Sequence, residues 1–288
     1  MQNTQILIKI KVMIRIEEVE FKKEVMEFMS KEQVKDVAPS VFTTKPSNGV
    51  SDKYTHIPTE RVIDDMEELG WKIVEAKEVK ARKKSTVGFQ KHLLVFRNND
   101  VIIKGKDNDT VFPQILLTNS HDGKNAFTFT AGLFRLICSN GLVIADEKFE
   151  DVKMRHMGYT FEELQELIKS MVNKLPLTVE SMNKMKDVNL EEDQVINLAK
   201  SLLDIRVKET NNTYSNDAIE DILRIQRKED RGNGLWEVFN RIQENIISGN
   251  FSYITQSGKQ RQARIIKNFK QDQDLNKKMF SKALEFVC

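Results

Sequence analysis

The sequence predicts an α+β protein, in which an antiparallel β-sheet with packed helices is followed by a helical C-terminal region. Apolar and polar residues alternate in short segments between residues 71 and 130. Asp122-Gly123 separates two of these segments and is typical of a hairpin turn. Beyond residue 150, apolar residues recur at helical spacing. We therefore expect three regions. Residues 1–50 form an N-terminal strand, a helix and a linker, residues 51–150 form the sheet-and-helix core, and residues 151–288 form a mainly helical region with a basic hairpin.

The N-terminal region is expected to contain one strand and two helices. Lys9, Lys11 and Arg15 interrupt the first apolar run, which favours a half-buried strand over a signal peptide. Spaced apolar residues predict a short helix within 17–36, and a polar segment rich in turn residues follows. Thr59 is predicted to cap a helix that ends at Gly70.

The sheet is expected to begin at Trp71. Alternation predicts strands separated by turns, at 71–82, 89–97, 112–120 and 125–132, with a short additional candidate at 101–105. The segment from residue 131 to Asn140 is compact and apolar and is closed by Asn140-Gly141. This pattern predicts a core helix with a left-handed C-terminal cap.

The C-terminal region is predicted to be helical from Thr160 onward. Thr160 and Glu163 have the spacing of a capping box, and apolar residues follow at helical spacing to Leu175. Four more segments have a helical pattern, at 189–206, 215–228, 234–249 and 274–288, and a hairpin is expected about Gly258.

Composition limits the possible functions. Cys138 and Cys288 are too few for a disulfide framework or a zinc site, and the apolar setting of Cys138 predicts a buried, reduced thiol. No apolar run approaches the ~20 residues that span a bilayer, so we expect a cytoplasmic protein without a membrane partner.

His121-Asp122 is the most conspicuous candidate for chemistry. The other histidines show no metal-ligand spacing, and the pattern favours a turn in which Asp122 accepts backbone amides over a metal site. No phosphate-binding loop or nucleophile motif is present. Cys138 lies in too apolar a segment to be an activated nucleophile. We therefore expect no enzyme activity, no cofactor and no metal.

Charge is unevenly distributed along the chain. Residues 71–106 contain ten Lys/Arg against three acidic residues and 241–278 contain eight against three, whereas 145–195 contains twelve acidic against seven basic. Ordinary solvated faces are one interpretation, and a polyanionic partner is the other. The candidate contacts are Lys80, Arg82, Lys83, Lys84, Lys91, Arg97, Lys259, Arg261 and Arg264. Phe89, Phe96 and Trp71 could stack on bases, although the core is favoured for Phe96 and Trp71.

Several segments resemble the phage/plasmid-like family labelled domain of unknown function 932. They are YTHIPTE, Gly70-Trp71, QKHLLVFR, LLTNSHDGKNAF, GLFRLICSNGLV and WEVFNRIQENIISG, and the similarity extends from about Val50 to the C-terminus. Members occur on phages, prophages and plasmids, which implies a bacterial host cell. The family motif implies structural roles for Asn119, His121, Asp122, Gly123, Arg135, Cys138, Asn140 and Gly141.

The element order is similar to the core of phage single-strand annealing proteins. The similarity comprises the helix at 59–69, Gly-Trp, antiparallel strands and the glycine-containing helix at 131–140. It implies a βββα core, a ring or filament of identical subunits and a basic groove that holds single-stranded DNA. It also implies that Arg82, Lys83, Lys84, Lys91 and Arg135 contact phosphates, and that a phage exonuclease or host single-strand binding protein is a partner.

The function expected from the sequence is single-stranded DNA binding and strand annealing in recombination or replication of a phage or mobile element. Annealing needs charge neutralisation but no covalent step. The alternative is a protein-binding factor that counters a host defence system through the acidic segment 145–195. A hydrolase using His121 and Asp122 is the third interpretation.

Overall fold

A computed structural model describes residues 28–51, 54–104, 110–135, 152–154, 160–208 and 211–287. These ranges combine an antiparallel sheet with a helical C-terminal region, as the sequence predicts. The helices are α1 (Lys31–Val37), α2 (Thr59–Glu68), α3 (Phe161–Lys186), α4 (Glu192–Val207), α5 (Asn216–Leu223), α6 (Leu235–Ser248) and α7 (Phe269–Leu284). The strands are β1 (Lys72–Glu78), β2 (His92–Arg97), β3 (Ile103–Lys104), β4 (Thr110–Asn119), β5 (Phe127–Arg135), β6 (Val152–Met154), β7 (Ser252–Ile254) and β8 (Gln260–Gln262).

The main sheet is antiparallel throughout, in the order β1-β2-β4-β5-β6, and β3 pairs with β4. Alternate residues face one side, because successive side chains of a strand point to opposite faces. On one side the strands bury Leu94, Phe96, Ile115, Leu117, Phe127 and Phe129, which join a continuous core with the helices. Each fully buried side chain of this size contributes about 1.5–3 kcal/mol relative to an exposed one.

The hairpin predicted at Asp122-Gly123 is confirmed, since β4 and β5 pair on either side of it. Gly123 has a φ of 70°, which glycine adopts without steric strain. The helix predicted from residue 131 to Asn140 is wrong for its first five residues, which continue strand β5 and pair with β4. Short apolar runs fit either a strand or a buried helix, and pairing with β4 decides in favour of the strand. Residues 136–140 lie outside the described residues.

The predicted helix before Gly70 is confirmed, but Thr59 is not its cap. Pro58 occupies the N-cap position and no side chain caps the helix there. The Thr59 hydroxyl instead takes part in buried hydrogen bonds with His92 and Asn119. Gly70, with a φ of 81°, ends the helix as predicted.

The long helix α3 begins with the predicted capping box. The Thr160 side chain accepts a hydrogen bond from the backbone amide of Glu163, and the Glu163 side chain accepts one from the backbone amide of Thr160. It extends beyond Leu175 and contains Pro176. Helices α4 to α7 lie within or overlap the other predicted helical segments, and no described helix is both long and apolar enough to cross a membrane.

The C-terminal hairpin of β7 and β8 turns at Gly258, as predicted. Its position is fixed at both ends. Thr213 and Ile254 exchange backbone hydrogen bonds of 2.9 and 2.7 Å, and the amide of Ile266 donates to the carbonyl of Ile247 on α6. The hairpin therefore lies next to the end of α6 and the segment that follows α4.

The N-terminal portion is described only from residue 28. Within it, α1 overlaps the helix predicted inside 17–36 and begins with a capping box of Ser30 and Gln33. The strand predicted over the first sixteen residues lies outside the described residues, as do Cys138, Asn140, Gly141 and Cys288.

Candidate functional site

A groove of about 760 Å³ opens between the C-terminal end of α4 and the β7–β8 hairpin. Helix α4 places Arg206 in its last turn, where a cation interacts favourably with the helix dipole. The hairpin and the chain after it contribute Arg261 and Arg264. Tyr253 provides half-buried aromatic surface in the same groove, the ring of Phe251 is buried next to Arg206, and no described lining residue is acidic. The groove thus combines positive charge with an accessible aromatic ring.

A second hollow, of about 300 Å³, continues the first along helix α7. The two hollows share Arg206 and Gln271, so they form one groove, which we call the basic groove. The second hollow adds Lys270 and Lys278 and one carboxylate, that of Asp274. The lining of the whole basic groove therefore contains five cationic side chains and one acidic side chain among the described residues. This balance of charge attracts polyanions.

Lys91, from the first basic stretch of the sequence, lies near two residues that line this groove, Lys270 and Asp274. Burial lowers the pKa of Lys91, the neighbouring Lys270 ammonium lowers it further, and Asp274 raises it. The N-terminal turn of α7 also lies beside β1: burial raises the pKa of Asp272 to about 6, whereas Lys77 acts to lower it. Lys91 of the first basic stretch and Lys270 of the second, which are 179 positions apart in sequence, therefore lie near each other in space.

Apart from Lys91, the predicted nucleic-acid contacts differ in how far their side chains are exposed. The exposed side chains are Lys80, Arg82, Lys83 and Lys84, in the β1–β2 loop, and Lys259, Arg261 and Arg264, on or beside the hairpin. Arg97 is only 6% exposed and lies over the ring of Phe112, so it does not belong to the exposed basic surface. The backbone of Arg135 ends β5, and its side chain lies outside the described part of the chain.

Trp71 and Phe96 lie in the core, as favoured, and Phe89 is half-buried. Sequence reasoning missed Arg206 and Tyr253. Arg206 stands between apolar residues of a helix, and Tyr253 lies in a short strand. Neither setting signals a shared groove.

A second cluster brings three histidines together. The ring centroids of His56 and His121 are 4.6 Å apart, and those of His92 and His121 are 5.3 Å apart. His92 and Asn119 are cross-strand partners at the ends of β2 and β4, on the face that packs against the helices. His92 and His121 are fully buried.

The hydrogen bonds around His92 determine which ring nitrogen carries the proton. The Asn119 amide donates to Thr59 Oγ1 at 2.9 Å, and Thr59 Oγ1 lies 2.9 Å from His92 Nε2. His92 Nδ1 lies 3.2 Å from the carbonyl oxygen of Gln90, which only accepts, and 2.9 Å from Ser40 Oγ. The tautomer with a proton on Nδ1 therefore satisfies all these hydrogen bonds, with the Thr59 hydroxyl donating to Nε2. Burial lowers the pKa of His92 to about 4.

Asp122 forms the turn that the sequence predicts. Its Oδ1 accepts from Ser120 Oγ at 2.8 Å and from the amide of Lys124 at 3.1 Å. The Tyr54 hydroxyl donates to the carbonyl of Ser120, which fastens the preceding loop to the hairpin. In the parts of the chain that the structure describes, no three His, Cys, Asp or Glu side chains are arranged to hold a metal ion. The hydrogen bonds of Asp122 and Ser120 therefore hold the hairpin turn in place.

Comparison with known proteins identifies the relatives of the chain. The family described as a domain of unknown function (DUF932) matches residues 47–280. The UPF0380 protein YafZ of Escherichia coli (strain K12) is 30% identical over 252 residues, which cover 88% of this chain and 89% of YafZ. The UPF0380 protein YfjQ of the same strain is 29% identical over the same length and coverage. No solved structure matches the chain.

Proposed function

The chain belongs to the family described as domain of unknown function 932, and from that premise we propose that it binds single-stranded DNA and promotes the annealing of complementary strands. The observation that supports this proposal is the basic groove. Its lining holds five cationic side chains against one carboxylate, and Lys91 of the first basic stretch lies close enough to Lys270 and Asp274 for their charges to act on its pKa.

The groove suits a flexible strand. Proteins that bind single strands without sequence preference combine a cationic groove, which follows the phosphates, with aromatic rings on which bases stack. Arg261 and Arg264 are exposed and line the first hollow together with Tyr253. The connection between β1 and β2, which includes Lys91, carries further exposed cations at Lys83 and Lys84.

Annealing follows from the same chemistry. Two strands repel each other through their phosphates, and a protein that neutralises both lowers this barrier without a covalent step. We propose that the protein acts as a homo-oligomer, because several grooves side by side would hold a longer strand than one groove does. A phage or mobile-element recombination system is the proposed setting, and an exonuclease or a single-strand binding protein is the proposed partner class.

Removal of positive charge from the groove is expected to weaken binding. In Arg261→Gln with Arg264→Gln, the affinity for a labelled oligo(dT) should fall, because two phosphate contacts are lost. The slope of log affinity against log salt should decrease by about 0.7 for each contact removed. Fluorescence anisotropy at several salt concentrations measures both quantities.

The matched control is Lys169→Gln with Lys184→Gln. These two lysines lie exposed on α3, in i,i+3 and i,i+4 ion pairs. This control removes the same charge and should leave the affinity near that of the wild type. Equal losses in both double variants would show that only net charge matters and would remove the groove from the proposal.

A further inference from the structure

We infer that Arg206 is the phosphate anchor of a nucleotide subsite in the basic groove and that Tyr253 provides its stacking surface. This inference rests on the proposed function and deepens it. It assigns the contact of highest affinity to a residue outside both basic stretches. It also assigns the ligand class, a single strand whose bases are free to leave the stack.

Arg206 is held in place by its surroundings. Its Nη2 donates to the carbonyl oxygen of Arg264, and the guanidinium carbon lies 5.2 Å from the centroid of the Phe251 ring. Phe251 is 1% exposed, so the surface that supports the guanidinium is fixed. A guanidinium with a fixed plane loses less entropy when it forms paired hydrogen bonds to a phosphate.

The guanidinium of Arg206 carries a partly buried charge. Among the described residues, Arg206 forms no ion pair, and its Nη1 is buried without a hydrogen-bond partner. Burial lowers the pKa of Arg206 to about 10, which shows that the surroundings disfavour the cation. A partly buried cation without an anion is destabilising. A phosphate bound in the groove would supply the missing negative charge.

Arg206 stands where both hollows meet. It is common to their linings, with Arg261 and Arg264 on one side and Lys270 and Lys278 on the other. A phosphate at Arg206 would therefore have cations along both directions of the strand. A chain of phosphates, rather than one isolated anion, fits this arrangement.

Tyr253 is the residue that would favour single-stranded DNA over a duplex. It is half-exposed and lines the same hollow as Arg206, and it is close enough to act on the pKa of that residue. An aromatic ring beside a phosphate site binds a base that has left its stack, at about 1–3 kcal/mol per base. A duplex keeps its bases stacked and cannot use this surface, so a single strand is preferred.

The test compares Arg206→Gln, Arg206→Lys and Tyr253→Ala with the wild type, using labelled oligo(dT) and the corresponding oligo(dA)·oligo(dT) duplex. Arg206→Gln should weaken oligo(dT) binding about tenfold or more and reduce the salt slope by about 0.7. Arg206→Lys should keep the slope but lose several-fold in affinity, because an ammonium lacks the planar fork. Tyr253→Ala should reduce the preference for oligo(dT) over the duplex and leave the salt slope unchanged.

The control variant is Arg224→Gln, since Arg224 is exposed and pairs with Asp221 on α5 at 2.9 Å. If the wild type binds no oligo(dT), the proposed function itself fails. If the wild type binds and Arg206→Gln has the same affinity and slope as Arg224→Gln, only the present inference is overturned. If Arg206→Gln does not fold, Arg206→Lys decides: an affinity equal to the wild type overturns the inference.

Discussion

Acidification from pH 6.5 to pH 4 is expected to lower the free energy of unfolding by about 3 kcal/mol through His92 alone. His92 is fully buried, and its folded-state pKa is about 4 against an ordinary value of 6.5. Between these values the unfolded chain binds a proton that the folded chain excludes, so stability falls as the pH falls. Above pH 6.5 both states are neutral and His92 makes no pH-dependent contribution. Urea titrations at a series of pH values measure the effect.

His92→Gln isolates this contribution from other titrating groups. Three other titratable side chains lie nearby among the described residues: Glu78, which is the cross-strand partner of His92 and accepts a hydrogen bond from the amide of Ser40, and the rings of His56 and His121. These groups are present in both proteins, so the difference between the two pH profiles isolates His92. The variant should be less stable at neutral pH and should show a shallower loss of stability on acidification. A pH profile parallel to that of the wild type would contradict the assignment.

Gly249→Ala is expected to destabilise the protein and to disturb the basic groove. Gly249 ends α6 with a φ of 77°, a left-handed conformation that costs other residues roughly 1–2 kcal/mol. A Cβ there would also lie 2.7 Å from the carbonyl carbon of Arg264 and 2.9 Å from that of Ala263. Both contacts are with backbone, so the chain after the hairpin must move. We expect a loss greater than the left-handed penalty, measured by thermal and urea unfolding.

Gly258→Ala is the matched control for this prediction. Gly258 has a φ of 75°, and no atom lies within 4 Å of a Cβ built on it. It therefore reports the cost of the backbone conformation without the clash. Because Arg264 lines the groove, Gly249→Ala should also weaken oligo(dT) binding, whereas Gly258→Ala should not. Equal destabilisation by the two substitutions would show that the close approach at Gly249 is relieved without cost.

Local patterns account for the parts of the fold that sequence reasoning predicted. The Thr160 capping box, the Asp122-Gly123 turn and the hairpin about Gly258 depend on residues close together in sequence. The two errors have long-range causes. Pairing with β4 keeps residues 131–135 in a strand, and Thr59 forms hydrogen bonds with residues from β2 and β4 instead of capping its own helix.

The candidate site was predicted only in part, for the same reason. Charge counts located both basic stretches, but only the packing of α7 beside β1 and β2 brings Lys91 to Lys270. Arg206 came from neither stretch, because its importance depends on the ring of Phe251 and on a groove built from several elements. The histidine cluster likewise joins positions too distant in sequence to show ligand spacing.

The most direct test of the central proposal measures the pairing of two complementary, fluorescently labelled single strands in the presence of the purified protein. At low salt, the protein should accelerate pairing, and moderate salt should suppress the acceleration, because phosphate neutralisation drives it. Arg206→Gln should accelerate pairing less than Arg224→Gln does. Pairing at the protein-free rate, together with no detectable binding of either strand at low salt, would contradict the proposal.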